Sequence, residues 1–216
     1  MEPLRLVLAS NNPHKAEELN ALLAGLRVAG PDGAPRAVQI VPLGAVAPMP
    51  EPPEDQETFV GNALQKATFV AERAGLPAIA DDSGLEVDAL GGAPGVRSKR
   101  FSAEATTAAN NALLLQRLDG VAARGARFVC AIAVVGPLGP GGAWVEGTVE
   151  GACPGQIGLE PRGAQGFGYD PLFWPDEAPG RSMAELAPAE KNALSHRGRA
   201  VERLPALLTR LLGGAG

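Results

Sequence analysis

The feature that most constrains the fold is a pair of long runs, "ARFVCAIAVVG" and "GAWVEGTVEGAC", separated by a glycine-rich stretch. Their β-branched content predicts two long strands, antiparallel around that turn. Such a pair needs a sheet to join, and the earlier segments supply it. "LRLVLA", Leu4 to Ala9, predicts a short strand. "AEELNALLAGL" follows as a helix, with Leu19, Leu22, Leu23 and Leu26 at helical spacing, Asn12 able to cap, Pro13 at the first helical position and Gly25 near the end. Arg36 to Val41 predicts a second strand, and "LGAVAPMPEPPEDQE" an irregular acidic loop. Thr58 opens a helix to about Ala74, with Phe59, Ala63, Ala67, Val70 and Ala74 on one face and Gly75 as its stop. "PAIA" predicts a strand that runs out at Asp81 and Asp82, and "GLEVDALGG" a hairpin arm. "TTAANNALLLQRL" predicts a helix, "GYDPLFW" contains a short strand, and the last twenty residues form a helix carrying Val201, Leu204, Leu208 and Leu211. A βα beginning followed by antiparallel pairing predicts an α/β fold: an elongated mixed sheet with flanking helices, two lobes around a central cleft. No repeat or linker divides residues 1–216, so one domain with two lobes is expected.

Composition narrows the function. A net charge of −5 leaves no basic footprint for polymeric nucleic acid, and no apolar run reaches the ~18 to 20 residues needed to span a bilayer. The N-terminus has no basic leader, which predicts a cytoplasmic protein without a membrane partner. Only Cys130 and Cys153 are present, too few for a disulfide framework or a zinc cluster, and both read as structural.

Four polar groups could line such a cleft, and each also has a purely structural reading. "SNNPHK", Ser10 to Lys15, sets Ser10, Asn11, Asn12, Pro13, His14 and Lys15 at a helix start. This is either a phosphate site or a plainly capped helix. The acidic loop holds Glu51, Glu54, Asp55 and Glu57, with Asn62 and Lys66 one turn apart on the next helix. Either it is solvated, or one of its carboxylates reaches a divalent ion. Asp81, Asp82, Ser83 and Gly84 place hard oxygen ligands after a strand, which suits Mg²⁺, although capping a turn explains such residues equally well. Finally, glycines around Phe167 and Tyr169 either expose an aromatic face for a base or bracket core aromatics, and Lys191, Ser195, His196 and Arg197 cluster near the last helix. Ser195 is either its N-cap or a residue within it.

In order, "LASNNPHKAEEL", "ETFVGNALQKA", "ADDSGLEVDALGGAPGVRSKRF", "GFGYDPLF" and "AEKNALSHRGRA" resemble the inosine triphosphate pyrophosphatases, the Ham1-like family, over essentially the whole chain. The resemblance implies a Mg²⁺-dependent hydrolase that cuts ITP, dITP or XTP between the α and β phosphates, releasing a nucleoside monophosphate and pyrophosphate. It also implies a homodimer. By this resemblance Asp82 is metal ligand and general base, Asp81 supports it, and Glu54 is a second ligand. The Ser10 to Lys15 loop, Lys66 and Ser83 take the phosphates. Phe167 stacks on the base, Gly168, Tyr169 and Asp170 frame the nucleoside, and Lys191, His196 and Arg197 read its edge. Two rivals are a phosphatase working through a phosphoaspartate, whose Asp-x-Asp pattern "DDSG" lacks, and a nucleotide sensor without turnover.

Overall fold

The computed structural model describes residues 2–11, 19–30, 33–46 and 48–213. Asn12, Pro13, His14 and Lys15 lie outside them. Seven strands form a mixed sheet: β1 (Leu4–Leu8), β2 (Arg27–Ala29), β3 (Pro35–Pro42), β4 (Ala78–Val87), β5 (Gly125–Pro137), β6 (Trp144–Ile157) and β7 (Phe173–Pro175), in the order β2-β3-β1-β4-β5-β6-β7. β1 pairs in parallel with β3 and β4, while β2 pairs antiparallel with β3 and β7 with β6. Helices α1 (Phe59–Ala74), α2 (Thr107–Arg117), α3 (Pro188–Leu194) and α4 (His196–Leu211) accompany the strands.

The chain divides into two compact units. The first takes residues up to Asp82, Ala131–Glu150 and those from Ala200 on. Its core holds Leu6, Val7 and Leu8 of β1 and Ile40 of β3, with Ile79 of β4. Helix α1 begins where Thr58, in extended conformation, accepts a hydrogen bond from the Gly61 N–H at 3.0 Å, and ends at Gly75 in the left-handed region. Its buried face holds Phe59, Ala63, Ala67 and Val70, and also Asn62 and Lys66. The two polar residues therefore enter the interior with the apolar stripe. Residues 19–22 are helical, with Leu19 and Leu23 buried as their spacing requires.

The second unit takes Ser83–Cys130 and Gly151–Arg199. Its core joins Leu85 and Val87 of β4, Leu114 of α2, Phe128 of β5 and Ile157 of β6 to Tyr169, Leu172 and Phe173. Phe128 meets Phe173 edge-on at 4.6 Å. Both thiols are buried, and burial pushes that of Cys153 up to about 11, leaving it inert at neutral pH.

One sequence expectation is corrected here. The strand at "PAIA" does not run out at the carboxylates: β4 continues through Asp81 and Asp82 to Val87, and "GLEV" is its second half rather than a hairpin arm. Polarity is a poor stop signal where a strand's polar groups find partners, as these do. The expected helix at "TTAANNALLLQRL" is α2, capped by Thr106, and the strand in "GYDPLFW" is confined to its last residues.

β6 and β7 approach so closely that a Cβ on Gly155 would lie 2.3 Å from the Trp174 carbonyl oxygen and 3.0 Å from the Cα of Pro175. Gly155→Ala should therefore force the strands apart and cost about 1 to 3 kcal/mol, lowering Tm by roughly 2 to 12 °C. Gly44→Ala, which meets nothing within 4 Å, is the neutral control. Thermal melts of the two variants check this, and equal melting points would refute the close approach.

Candidate active site

Lys66 organises the site in the first unit. Its ammonium donates to Glu54 Oε1 at 2.6 Å, to the backbone oxygen of Asp81 at 2.8 Å and to Asp82 Oδ1 at 3.2 Å. The other oxygen of Asp82 accepts from Asn62 Nδ2 at 3.0 Å. Asn62 and Lys66 are one helical turn apart on α1, so a single helix face grips one carboxylate at both oxygens. The loop before α1 is fastened to the same helix. Gln56 N–H donates to Asn62 Oδ1 at 2.9 Å, and Gln65 Nε2 to Asp55 Oδ1 at 2.6 Å. Hydrogen bonds from Gln65 and Gln56 hold the Asp55 carboxyl below its ordinary value. The acidic loop is thus docked by Glu54 and Asp55 rather than merely solvated.

Burial raises the Asp82 carboxyl above its ordinary value, outweighing the lowering by Lys66 and by the Asn62 hydrogen bond; nearby Glu54 raises it further. Glu54 and Asp82 converge on one ammonium. Two hard carboxylates that close together fit Mg²⁺, which binds through one or two such groups and keeps waters. Among the described residues no group of three or more His, Cys, Asp or Glu is arranged for a metal, so this cluster offers two protein ligands and no closed cage.

Ser10 and Asn11 follow β1. The parallel register of Leu8 with Ile79 runs on toward Ser10 and Asp81, and Ala9 N–H donates to the Ile79 oxygen at 2.8 Å. Asn11 Nδ2 donates to Glu51 Oε2 at 2.8 Å. Asp81 is buried, on the opposite side of the pleat from Asp82.

The remaining candidates lie in the second unit. Ser195 settles the open choice: its backbone is extended, it closes α3, and its hydroxyl accepts from Gly198 N–H at 3.0 Å, so it caps α4. His196 and Arg197 open that helix and are both buried. The His196 ring stacks on Phe128 at 4.9 Å, and Arg197 Nη2 lies 3.5 Å from Ser83 Oγ. Lys191 Nζ bonds Asp170 Oδ2 at 2.6 Å and sits 4.9 Å from the centroid of the Phe167 ring, which is 64% exposed. Asp170 also accepts from Phe167 N–H at 2.8 Å. Gly166 permits this turn, with φ at +81°, and a Cβ there would meet the Asp170 carboxylate at 2.2 Å. Tyr169 takes the core side of the two alternatives: its ring is buried and its hydroxyl donates to the Ser98 carbonyl at 2.9 Å. Phe167 alone of the two is exposed.

The expectations for this region missed Gln56, Gln65, Asn110 and Asn111. The loop glutamines carry no motif. The "NN" of α2 was visible in the sequence, but its partners were not.

Because folding raises the Asp82 pKa, the folded protein binds that proton more tightly. Its contribution is therefore fully present below the unfolded value and is lost as pH rises through the folded one. Asp82→Asn removes the cost of ionising a buried carboxylate. Lys66 keeps Glu54 and the Asp81 oxygen as partners. In metal-free buffer Asp82→Asn should melt higher than the wild type at pH 7, with the gap closing toward pH 4. Melting curves at both pH values decide this, and a gap that widens on acidification would reverse the assignment.

The match to the Ham1 family spans residues 6–207. The chain is 50% identical over 211 residues to the dITP/XTP pyrophosphatase of Nocardia farcinica, covering 96% of each chain. It is 44% identical over 238 residues to the dITP/XTP pyrophosphatase of an Anaeromyxobacter species, covering 95% of this chain and 97% of that one. The crystal structure of a nucleoside-triphosphatase, dITP/XTP pyrophosphatase, from Mycobacterium abscessus superposes with a TM-score of 0.74 at 43% identity, over 93% of this chain and 98% of that one. A Staphylococcus aureus Ham1 protein superposes at 0.79 with 32% identity, covering 94% and 97%. With residues 6–207 matched to its model and relatives this similar over nearly their whole length, the chain belongs to the Ham1 family.

Proposed function

We propose that this protein hydrolyses dITP, XTP and ITP to the nucleoside monophosphate and pyrophosphate, clearing deaminated purines from the nucleotide pool. The observation that carries the reading is Asp82, a buried carboxylate of raised proton affinity gripped by Asn62 and Lys66 beside Glu54. The relatives' activity supports it. A base of raised pKa takes a proton from water more readily than an ordinary carboxylate. Asp82 accepts the proton as the water oxygen attacks the α-phosphorus. The bond from that phosphorus to the bridging oxygen breaks, and pyrophosphate leaves with the electron pair. Mg²⁺ held by Asp82 and Glu54 would supply charge neutralisation on the phosphates.

The other residues take roles that follow from their chemistry. Lys66 holds Asp82 in place and adds positive charge, and Ser10 to Lys15 and Ser83 bind the triphosphate. Phe167, exposed beside Lys191, stacks on the base, with Gly168, Tyr169 and Asp170 forming the turn behind it. His196 and Arg197 donate to the oxygen at position 6 of hypoxanthine or xanthine, where adenine presents a donor instead. We further propose a homodimer in the cytoplasm.

The test is one assay of dITP, XTP, ITP, dATP and dGTP, with Mg²⁺ and with chelator, identifying both products. Monophosphate and pyrophosphate are expected from the first three, with turnover lost on chelation. Inorganic phosphate as the product, or binding without turnover, would overturn the reading. Asp82→Asn should lower kcat by at least ~10² to 10⁴-fold while remaining folded. Arg197→Ala should narrow the ratio of kcat/KM between ITP and ATP by ~10-fold or more, whereas a parallel loss on both would assign Arg197 to phosphate.

A further inference from the structure

Helix α2 carries two adjacent asparagines whose amides behave differently. Asn110 is buried and fully used. Its Nδ2 donates to the carbonyls of Ser98 at 3.3 Å and Lys99 at 3.1 Å, and its Oδ1 accepts from the N–H and the hydroxyl of Ser102, each at 2.8 Å. Asn111 is half used. Its Nδ2 donates to the Gly168 carbonyl at 3.1 Å, while its Oδ1 is buried with no hydrogen-bond partner. Flipping the amide would set that oxygen against the Gly168 oxygen, so the observed orientation is the better of two imperfect ones. A buried acceptor left unsatisfied is unfavourable, and a residue chosen for stability alone would not leave one.

What Asn111 holds is the turn that presents Phe167. Gly168, with φ at +61°, lies between Phe167 and Tyr169. The turn closes on itself through Phe167 N–H to Asp170 Oδ2 and Asp170 N–H to the Phe167 oxygen at 3.2 Å. Tyr169 ties it to Ser98, the same carbonyl that Asn110 holds. Both asparagines of α2 therefore brace one turn, Asn110 through the Ser98 carbonyl and Asn111 through the backbone between the exposed ring and the buried one.

We propose that Asn111 is a positioning residue for base recognition, fixing the Gly168 carbonyl and with it the direction in which Phe167 presents its ring. This rests on the assignment of Phe167 to the base. Asn111 touches no reacting atom, so its effect belongs to KM and to the mobility of the turn rather than to kcat.

The experiment compares wild type, Asn111→Ala, Asn111→Asp and Asn110→Ala. Hydrogen exchange of the peptide spanning Gly166 to Leu172 is followed without ligand, alongside dITP kinetics and thermal melts. Asn111→Ala and the near-isosteric Asn111→Asp should both speed exchange in that peptide. Asn111→Ala should also raise KM by ~3 to 10-fold, the worth of one neutral hydrogen bond, with kcat within ~2-fold and Tm unchanged or higher because the orphaned oxygen is gone. Asn110→Ala, which removes four hydrogen bonds, should lower Tm. Unchanged exchange in both Asn111 variants would overturn the proposal. So would a loss of Tm in Asn111→Ala matching that of Asn110→Ala, since that would make Asn111 a stability residue. A wild type that does not turn over dITP would refute the functional reading alone, with exchange and melting still deciding the role of Asn111.

Discussion

A buried ammonium has to be satisfied by whatever surrounds it, and Lys66 imposes that demand on β4 and on the loop before α1. Its side chain is 5% exposed, and an unpaired charge so placed would cost several kcal/mol. Three oxygens meet it: a strand carbonyl, a strand carboxylate and a loop carboxylate. They come from β4 and from the segment before α1, so one side chain fixes the helix, the strand and the loop against one another. The strand cannot slip. A shift of one residue would turn Asp82 to the other face of the pleat and leave both Lys66 and Asn62 facing the wrong side chain.

That arrangement secures the position of Asp82 without making its ionisation favourable. Two carboxylates share one ammonium, and burial already disfavours ionisation of Asp82. A group of this kind works against folding at neutral pH, which is the usual mark of a site shaped for chemistry rather than stability. A Mg²⁺ held by Asp82 and Glu54, as proposed, would favour the ionised Asp82 that burial resists. In the proposed mechanism metal binding and base strength would therefore be opposed, since whatever stabilises the carboxylate also weakens its pull on a proton.

Much of this was legible in the sequence wherever local rules govern. Thr58 and Gly75 bound α1 by capping and by left-handed conformation, and the spacing of Phe59, Ala63, Ala67 and Val70 gives its inner face. The same spacing sets Asn62 and Lys66 one turn apart, but periodicity alone assigns polar residues to solvent, and only the partners on β4 explain their burial. The end of β4 was misread for the same reason: Asp81 and Asp82 look like a strand terminus until their acceptors are paired across the fold. Tyr169 and Phe167, two residues apart in a glycine-rich run, are alike in sequence. What separates them is one phenolic hydroxyl that finds the Ser98 carbonyl. Asn111 was illegible because its meaning depends entirely on Gly168, 57 residues away.

The second lysine–carboxylate pair shows how exposure changes what such a pair can do. Lys191 and Asp170 meet at 2.6 Å, as Lys66 and Glu54 do, yet the Lys191 side chain is 19% exposed against 5% for Lys66. Lys191 is the partly accessible member of its pair, while the Asp170 carboxylate is buried, so solvent reaches the ammonium and not its partner. The Asp170 carboxylate also accepts the Phe167 N–H, and the space over Gly166 is filled by that carboxylate to within 2.2 Å of where a Cβ would stand. The turn is therefore closed tightly on its backbone side. Under the role proposed for Phe167, a turn closed in this way would hold the stacking ring at low entropic cost, and rejection of a wrong base would fall to His196 and Arg197 at the start of α4.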